Sequence, residues 1–309
     1  MAANDSVAQP LRKRFVTSAD GLRLHVMDYG EATSPWTPVV CLPGLTRTHR
    51  DFHELAQHLA GRDDRPRRVL AVDYRGRGES AWSPDSSRYT PMIEMDDVTA
   101  IMAAVDVPRA AIVGVSRGGI IGMFMGIHHP RTVAALVLVD VGPQIEPLGL
   151  ARIKSYVGRM PPPEDWTDAA ALLRRLHGGH FTAFQDRDWA AFARLTFADR
   201  DGKPVADYDP ALAETLEGID FDRPVPDLWD AFAALTHTPT LVVRGDNSDL
   251  LSTATLDRMR AEHPALVSWT IEVEGHAPLI RGEPLLNRIA TFLAAAEDEA
   301  TVPLSPGDD

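Results

Sequence analysis

The chain opens with two runs in which apolar and polar residues alternate, "RFVTS" and "LRLHVMDYG", and this period of two predicts an antiparallel hairpin. Four nearly continuous apolar runs follow: "PVVCLPG", "RVLAVDY", "AAIVGVS" and "AALVLVDV". Such runs, separated by segments of helical period, are expected of parallel strands covered by helices on both faces. The predicted class is α/β, with a mostly parallel central sheet flanked by helices. After residue 145 the texture changes. Strand-like runs vanish until about residue 235, "RMPPPEDW" supplies a Pro-rich break, and helical patterns such as "DAAALLRRLHG", "RDWAAFARLTF" and "PALAETLEG" take over. Trp166, Trp189, Trp229 and six of the ten phenylalanines fall in this segment, so it must bury them, and a helical cap packed over the sheet would do so. The β–α rhythm resumes at "TPTLVVRGD". A helix from about Ser252 to Glu262, a strand "VSWTIEVEG" and a last helix "LLNRIATFLAAAE" complete it. This reading divides the chain into a core part at 1–145, an inserted helical cap at 146–235, a second core part at 236–297 and an acidic, Pro-containing tail at 298–309, expected to be disordered.

At 309 residues, 44% of them hydrophobic, the chain can bury a sizeable core. Its formal charge of −13 comes without a basic run that could follow a phosphate backbone, so nucleic acid and anionic membrane are excluded as expected partners. "MAANDSVAQPLRKRFV" has no apolar signal core and no later stretch is long enough to span a bilayer, so a cytoplasmic location is expected. The single cysteine, Cys41, cannot form an internal disulfide and reads as a small core side chain.

Candidate chemistry centres on "AAIVGVSRGGIIGMF". A side chain exposed at the top of a strand-to-helix turn needs a tight backbone, and Gly114 and Gly118 flank Ser116 where a Cβ would clash. A serine hydroxyl needs a base to act as a nucleophile. Of the eleven histidines, His276 in "VEGHAPLIRGEP" follows a predicted strand and precedes the last helix, at the sheet edge where open α/β sheets put their sites. His177 and His180 in "LHGGH" have a metal-pair spacing but no nearby carboxylate or cysteine set, so no metal site is assigned. The base needs a carboxylate to fix its tautomer. Three aspartates compete: Asp246 and Asp249 in "VVRGDNSDLLS", and Asp140 in "LVLVDVGP". Asp249 is favoured because it precedes "LLS" near the start of a helix and satisfies the chain order Ser, Asp, His, with Asp246 and Asp140 as alternatives. An oxyanion would need two donors, expected from the backbone amides of Arg117 and Leu45, the latter reached through the turn at Gly44.

In this order, "LPGLTRTHRDF", "VDYRGRGES", "GVSRGG", "RGDNSDLLS" and "GHAP" resemble the marks of the α/β-hydrolase fold superfamily over roughly residues 12 to 297. The resemblance implies that Asp73, Arg75 and Gly76 hold a loop without taking part in catalysis. It implies a serine hydrolase that needs no cofactor and no metal: Ser116 attacks a carbonyl carbon, His276 shuttles the proton, Asp249 orients His276, and water releases the acyl group. A serine at 116 argues against haloalkane dehalogenases and epoxide hydrolases, which use aspartate there. The cap residues with Met123 and Phe124 suggest a small to medium, mostly apolar ester or lactone as the small-molecule partner. Carbon-carbon bond hydrolases of ring-cleavage products, acyltransferases, cofactor-free dioxygenases and small-molecule receptors share the fold and remain alternatives. A homo-oligomer is compatible with the sequence, which does not fix the oligomeric state.

Overall fold

A computed structural model describes residues 10–221 and 225–301. Strands β1 (Leu11–Thr17) and β2 (Arg23–Tyr29) form the expected antiparallel hairpin, paired from Leu11 opposite Tyr29 to Thr17 opposite Arg23. Four short strands follow: β3 (Val39–Leu42), β4 (Val69–Val72), β5 (Ala110–Val115) and β6 (Val133–Val139). Helices α1 (His53–Ala60), α2 (Pro91–Ala104) and α3 (Arg117–His128) alternate with them. Further along the chain come α4 (Pro147–Tyr156), α5 (Trp166–His177), α6 (Asp186–Thr196), strands β7 (Phe197–Arg200) and β8 (Lys203–Ala206), α7 (Glu214–Glu217) and α8 (Trp229–Ala233). Strands β9 (Thr240–Gly245) and β10 (Leu266–Ile271) and helices α9 (Thr253–Glu262) and α10 (Glu283–Thr301) close the order.

Eight of these strands make one sheet in the order β1-β2-β4-β3-β5-β6-β9-β10, parallel from β4 to β10. Because side chains alternate along a strand, each core strand feeds two hydrophobic layers. Val40, Leu42, Leu70, Val72 and Ile112 pack on one face with Met95 and Val98 of α2 and Ile121 and Met125 of α3. Val39, Cys41, Val69, Ala71 and Val113 pack on the other with Leu55 and Leu59 of α1 and Ile289 and Leu293 of α10. That double burial is why the strands read as unbroken apolar runs. Cys41 lies wholly inside, and burial pushes its thiol pKa up. No helix among the described residues is long and apolar enough to cross a membrane.

Between β6 and β9 the chain leaves the sheet. This excursion has a core of its own, in which Leu172, Leu173, Phe181, Trp189, Phe192 and Phe197 are buried together. Trp166 stays half-buried, its ring covered by the Arg194 guanidinium at 3.5 Å. Two features differ from the sequence reading. Strands do occur here: β7 and β8 pair as a hairpin across Asp201 and Gly202, both at positive φ (52° and 82°), the Asp-Gly turn that suits a two-residue connection. Helix α8, grouped by sequence with the inserted segment, instead buries Trp229 and Phe232 in the sheet's own core. At the C-terminus, α10 runs to Thr301, past the expected start of the tail at 298, and residues 302–309 of that tail lie outside the described residues.

Candidate active site

Strand β5 ends at Val115 and α3 begins at Arg117, so Ser116 is the single residue of the turn, at φ +52°. This conformation is unusual for a side chain larger than glycine, and its neighbours make room for it. A Cβ at Gly114 would run into the backbone of Gly118, and one at Gly118 into the carbonyl of Leu42. The turn projects the hydroxyl beyond the carboxyl edge of the sheet, where His276 Nε2 lies 2.9 Å from Ser116 Oγ.

His276 Nδ1 lies 2.8 Å from Oδ2 of Asp140, not of Asp249. This corrects the expected assignment of the acid. Asp140 directly follows β6, and since Val115 pairs with Val139, Ser116 and Asp140 emerge side by side from adjacent parallel strands. The Asp140 carboxylate is fully buried and is also fixed by the Gly245 N–H at 2.9 Å and the Ser248 hydroxyl at 2.6 Å. Asp249 is held elsewhere. Arg152 of α4 grips its carboxylate with two bonds of 2.6 and 2.8 Å, and its carbonyl accepts the Gly149 N–H. Burial alone would raise the Asp249 pKa, but the hydrogen bond and charge of Arg152 outweigh it and hold the carboxyl below its ordinary range. Asp246 is tied through its backbone, its N–H bonded to the Ile271 carbonyl.

Leu45 and Gly44 line the cavity with Ser116, and a Cβ on Gly44 would come within 3.9 Å of the Ser116 Cβ. Arg117 opens α3, whose first amides have no acceptor within the helix. The sequence reading gave no weight to the side chains here, yet they form a buried network. Glu94 of α2 accepts from Arg77 at 2.6 Å and from Arg117 at 2.7 Å, while Arg77 Nε donates to the Leu45 carbonyl at 2.8 Å. One carboxylate thus braces both segments expected to carry the amide donors. Burial would raise the Glu94 pKa, but the two guanidinium groups hold it down. The signal available in the sequence was Arg77 within "DYRGRGES".

The rest of that motif acts as a brace. Arg75 pairs with Asp97 at 2.6 Å and with Asp20 at 2.9 Å. A Cβ on Gly76, at φ +73°, would strike the Tyr89 ring. Asp73 accepts from the His25 ring at 2.7 Å, the His49 ring at 2.9 Å and the amides of His49 and Glu79. Burial raises the Asp73 pKa, and these partners more than reverse it. His25, His49 and Asp73 are all metal-type ligands, and both ring nitrogens lie at hydrogen-bonding distance, 2.7 and 2.9 Å, from the one Asp73 carboxylate.

A cavity of about 200 Å³ opens onto Ser116 and His276 beneath the excursion. Ile153, Val157, Met160, Leu173, Phe192 and Leu279 give it an apolar wall. Met123 and Phe124, expected near the substrate, instead pack in and against the core below α3. His177 and His180 flank the Arg152–Asp249 pair: His177 Nδ1 lies 3.5 Å from Arg152 Nη1, and His180 Nε2 lies 3.8 Å from Asp249.

Comparison with known proteins agrees with this architecture. The family model for the alpha/beta hydrolase fold matches residues 37–282. The 3-hydroxybutyrate-oligomer hydrolase of Cupriavidus necator is 33% identical over 280 residues, which cover 86% of this chain and 92% of that protein. The sn-1-specific diacylglycerol lipase ABHD11 of Mus musculus is 36% identical over 114 residues, 37% of this chain and 35% of that protein. A crystal structure of an alpha/beta hydrolase from Novosphingobium aromaticivorans superimposes with a TM-score of 0.84 at 37% identity, covering 92% of this chain and 98% of that one.

Proposed function

Because this chain belongs to the α/β-hydrolase fold family, we propose that it hydrolyses carboxylic esters or lactones through an acyl-enzyme on Ser116, with His276 as base and Asp140 as acid. The observation that carries the reading is the unbroken row from hydroxyl to imidazole to carboxylate, 2.9 Å and then 2.8 Å.

The chemistry follows from that row. Asp140 accepts a hydrogen bond from Nδ1–H, so the Nε2 lone pair faces the serine hydroxyl and takes its proton as Oγ bonds to the ester carbon. The carbonyl π-electrons move onto oxygen, where the amides of Leu45 and Arg117 receive the charge. Collapse expels the alcohol, which leaves with the proton held on Nε2. Water then repeats the cycle on the acyl-enzyme and frees the acid and the serine. None of these steps needs a cofactor or a metal.

The apolar wall and the size of the cavity support a short or medium acyl chain. The relative named as acting on 3-hydroxybutyrate oligomers is similar along nearly the whole chain, which favours short esters of hydroxy acids as first substrates to test. The test is a panel of nitrophenyl esters from acetyl to octanoyl, aliphatic lactones, 3-hydroxybutyrate dimers and vinylogous diketones. Short esters should be turned over with kcat/KM on the order of 10⁴ M⁻¹ s⁻¹. Cleavage of the diketones without ester hydrolysis would replace the reading with carbon-carbon bond hydrolysis.

A further inference from the structure

His177 closes α5 and lines the same cavity as Ser116 and His276. The residue is 8% exposed and its ring is enclosed by Tyr156, Phe181 and Phe192. Burial first, and then the charges of Arg152 and Arg47, push its pKa down to about 3, so the imidazole is neutral at any working pH. A neutral imidazole carries one N–H and one lone pair. Which nitrogen holds the proton follows from Arg152, a pure donor fixed by its two bonds to Asp249, whose Nη1 faces Nδ1 at 3.5 Å. Nδ1 therefore accepts and Nε2 carries the hydrogen. Among the described residues Nε2 has no protein partner, and it is not sealed off from the cavity that His177 lines. The N–H thus opens on the cavity.

We infer that His177 is a specificity-determining donor that recognises a second oxygen, carried by the substrate away from the scissile carbonyl, so that oxygen-bearing acyl or alcohol chains are preferred over plain alkyl ones. The inference rests on the ester-hydrolase reading and adds the substrate class to it. Two of the other cations lining the cavity are committed elsewhere: Arg47 to Asp51 and Thr196, and Arg50 to Asp207. An alkyl chain seated against Nε2–H strips it of water and offers nothing in return, whereas a hydroxyl or ester oxygen meets it. Sites that must hydrogen-bond their substrate discriminate against the deoxy analogue for this reason.

The test compares matched pairs in the full-length protein: nitrophenyl 3-hydroxybutyrate against nitrophenyl butyrate, and the butyrate ester of 3-hydroxybutyrate against butyl butyrate. The readout is the ratio of kcat/KM within each pair, which a general loss of packing leaves in place. Wild type should favour the oxygenated member of at least one pair by about tenfold or more. His177→Leu should collapse that ratio, and His177→Gln, which keeps a donor, should retain most of it. Ratios near one in wild type, or a preference that survives in His177→Leu, overturn the assignment while leaving ester hydrolysis intact. No turnover of any ester by folded wild type removes the ester reading and this inference with it. Should the variants fail to fold, wild-type imidazole ¹⁵N shifts decide. A His177 shift with 3-hydroxybutyrate but not butyrate supports the assignment, and equal shifts or none refute it.

Discussion

Replacing Asp140 by asparagine separates the two candidate acids, because the geometry dictates where the new amide must go. The carboxylate accepts three hydrogen bonds: Gly245 N–H on Oδ1, and both the Ser248 hydroxyl and His276 Nδ1 on Oδ2. If the asparagine NH₂ took the Oδ1 place it would face a backbone N–H that cannot turn away. In the Oδ2 place it meets a hydroxyl that can rotate to accept and an imidazole that can change tautomer. The second placement costs less, and it moves the histidine proton to Nε2. That nitrogen then points an N–H at Ser116 and cannot take its proton. An imidazole locked in the wrong tautomer costs a serine hydrolase about 10⁴ in kcat, or about 5.5 kcal/mol of barrier. Asp249→Asn, by contrast, weakens the Arg152 pair and leaves the row at Ser116 untouched, so kcat should stay within about tenfold while stability falls by about 1–3 kcal/mol. Steady-state hydrolysis of nitrophenyl butyrate and thermal unfolding of both variants measure the two effects. If Asp249→Asn lost activity as Ser116→Ala does while Asp140→Asn stayed active, the reasoning would be refuted.

Glu94→Gln would leave the Arg77 and Arg117 guanidinium groups sharing a neutral amide inside the protein, and should cost about 3–5 kcal/mol in urea unfolding. Surviving folded enzyme should lose kcat more than KM, since the bracing of Leu45 and Arg117 slackens; an unchanged kcat would separate this network from the chemistry. Acid stability tests His177: with a folded pKa of about 3 and an unfolded one near 6.5, the unfolded chain takes up a proton that the native one refuses. Stability should therefore fall as pH drops below about 6.5, and His177→Leu should flatten the loss between pH 6 and 5 by on the order of 1 kcal/mol in urea titrations. Parallel wild-type and variant curves over that window would contradict it.

Ser116 and His276 were legible because each sits at a junction marked on both sides, apolar run to glycine to helix for one, strand to Gly275 to helix for the other. The sheet's two hydrophobic layers were legible because its central strands, β3 to β6 and β9, are apolar on both faces. The acid was not. Three aspartates follow strand ends, and their sequence neighbourhoods do not rank Asp140 above Asp249. What ranks them is long-range: the register of β5 on β6 brings Asp140 beside Ser116, and Arg152, 97 residues away in the chain, takes Asp249 out of reach. All three satisfy the chain order Ser, Asp, His, and only register separates them. The β7–β8 hairpin was missed although Asp201-Gly202 announces its turn, because "FADR" and "KPVA" are too short and polar to read as strands. Burial of Glu94 between two arginines was hidden too, since a glutamate in the first turn of a helix ordinarily faces water.

The central claim is that the imidazole at 276 makes the hydroxyl at 116 a nucleophile, and a fluorophosphonate measures this without knowledge of the substrate. Intact-mass spectrometry of the treated protein should show one covalent adduct, mapped by peptide sequencing to Ser116, abolished in Ser116→Ala and slowed at least a hundredfold in His276→Ala. Equal labelling of Ser116→Ala, or no labelling of the folded wild type, would contradict it.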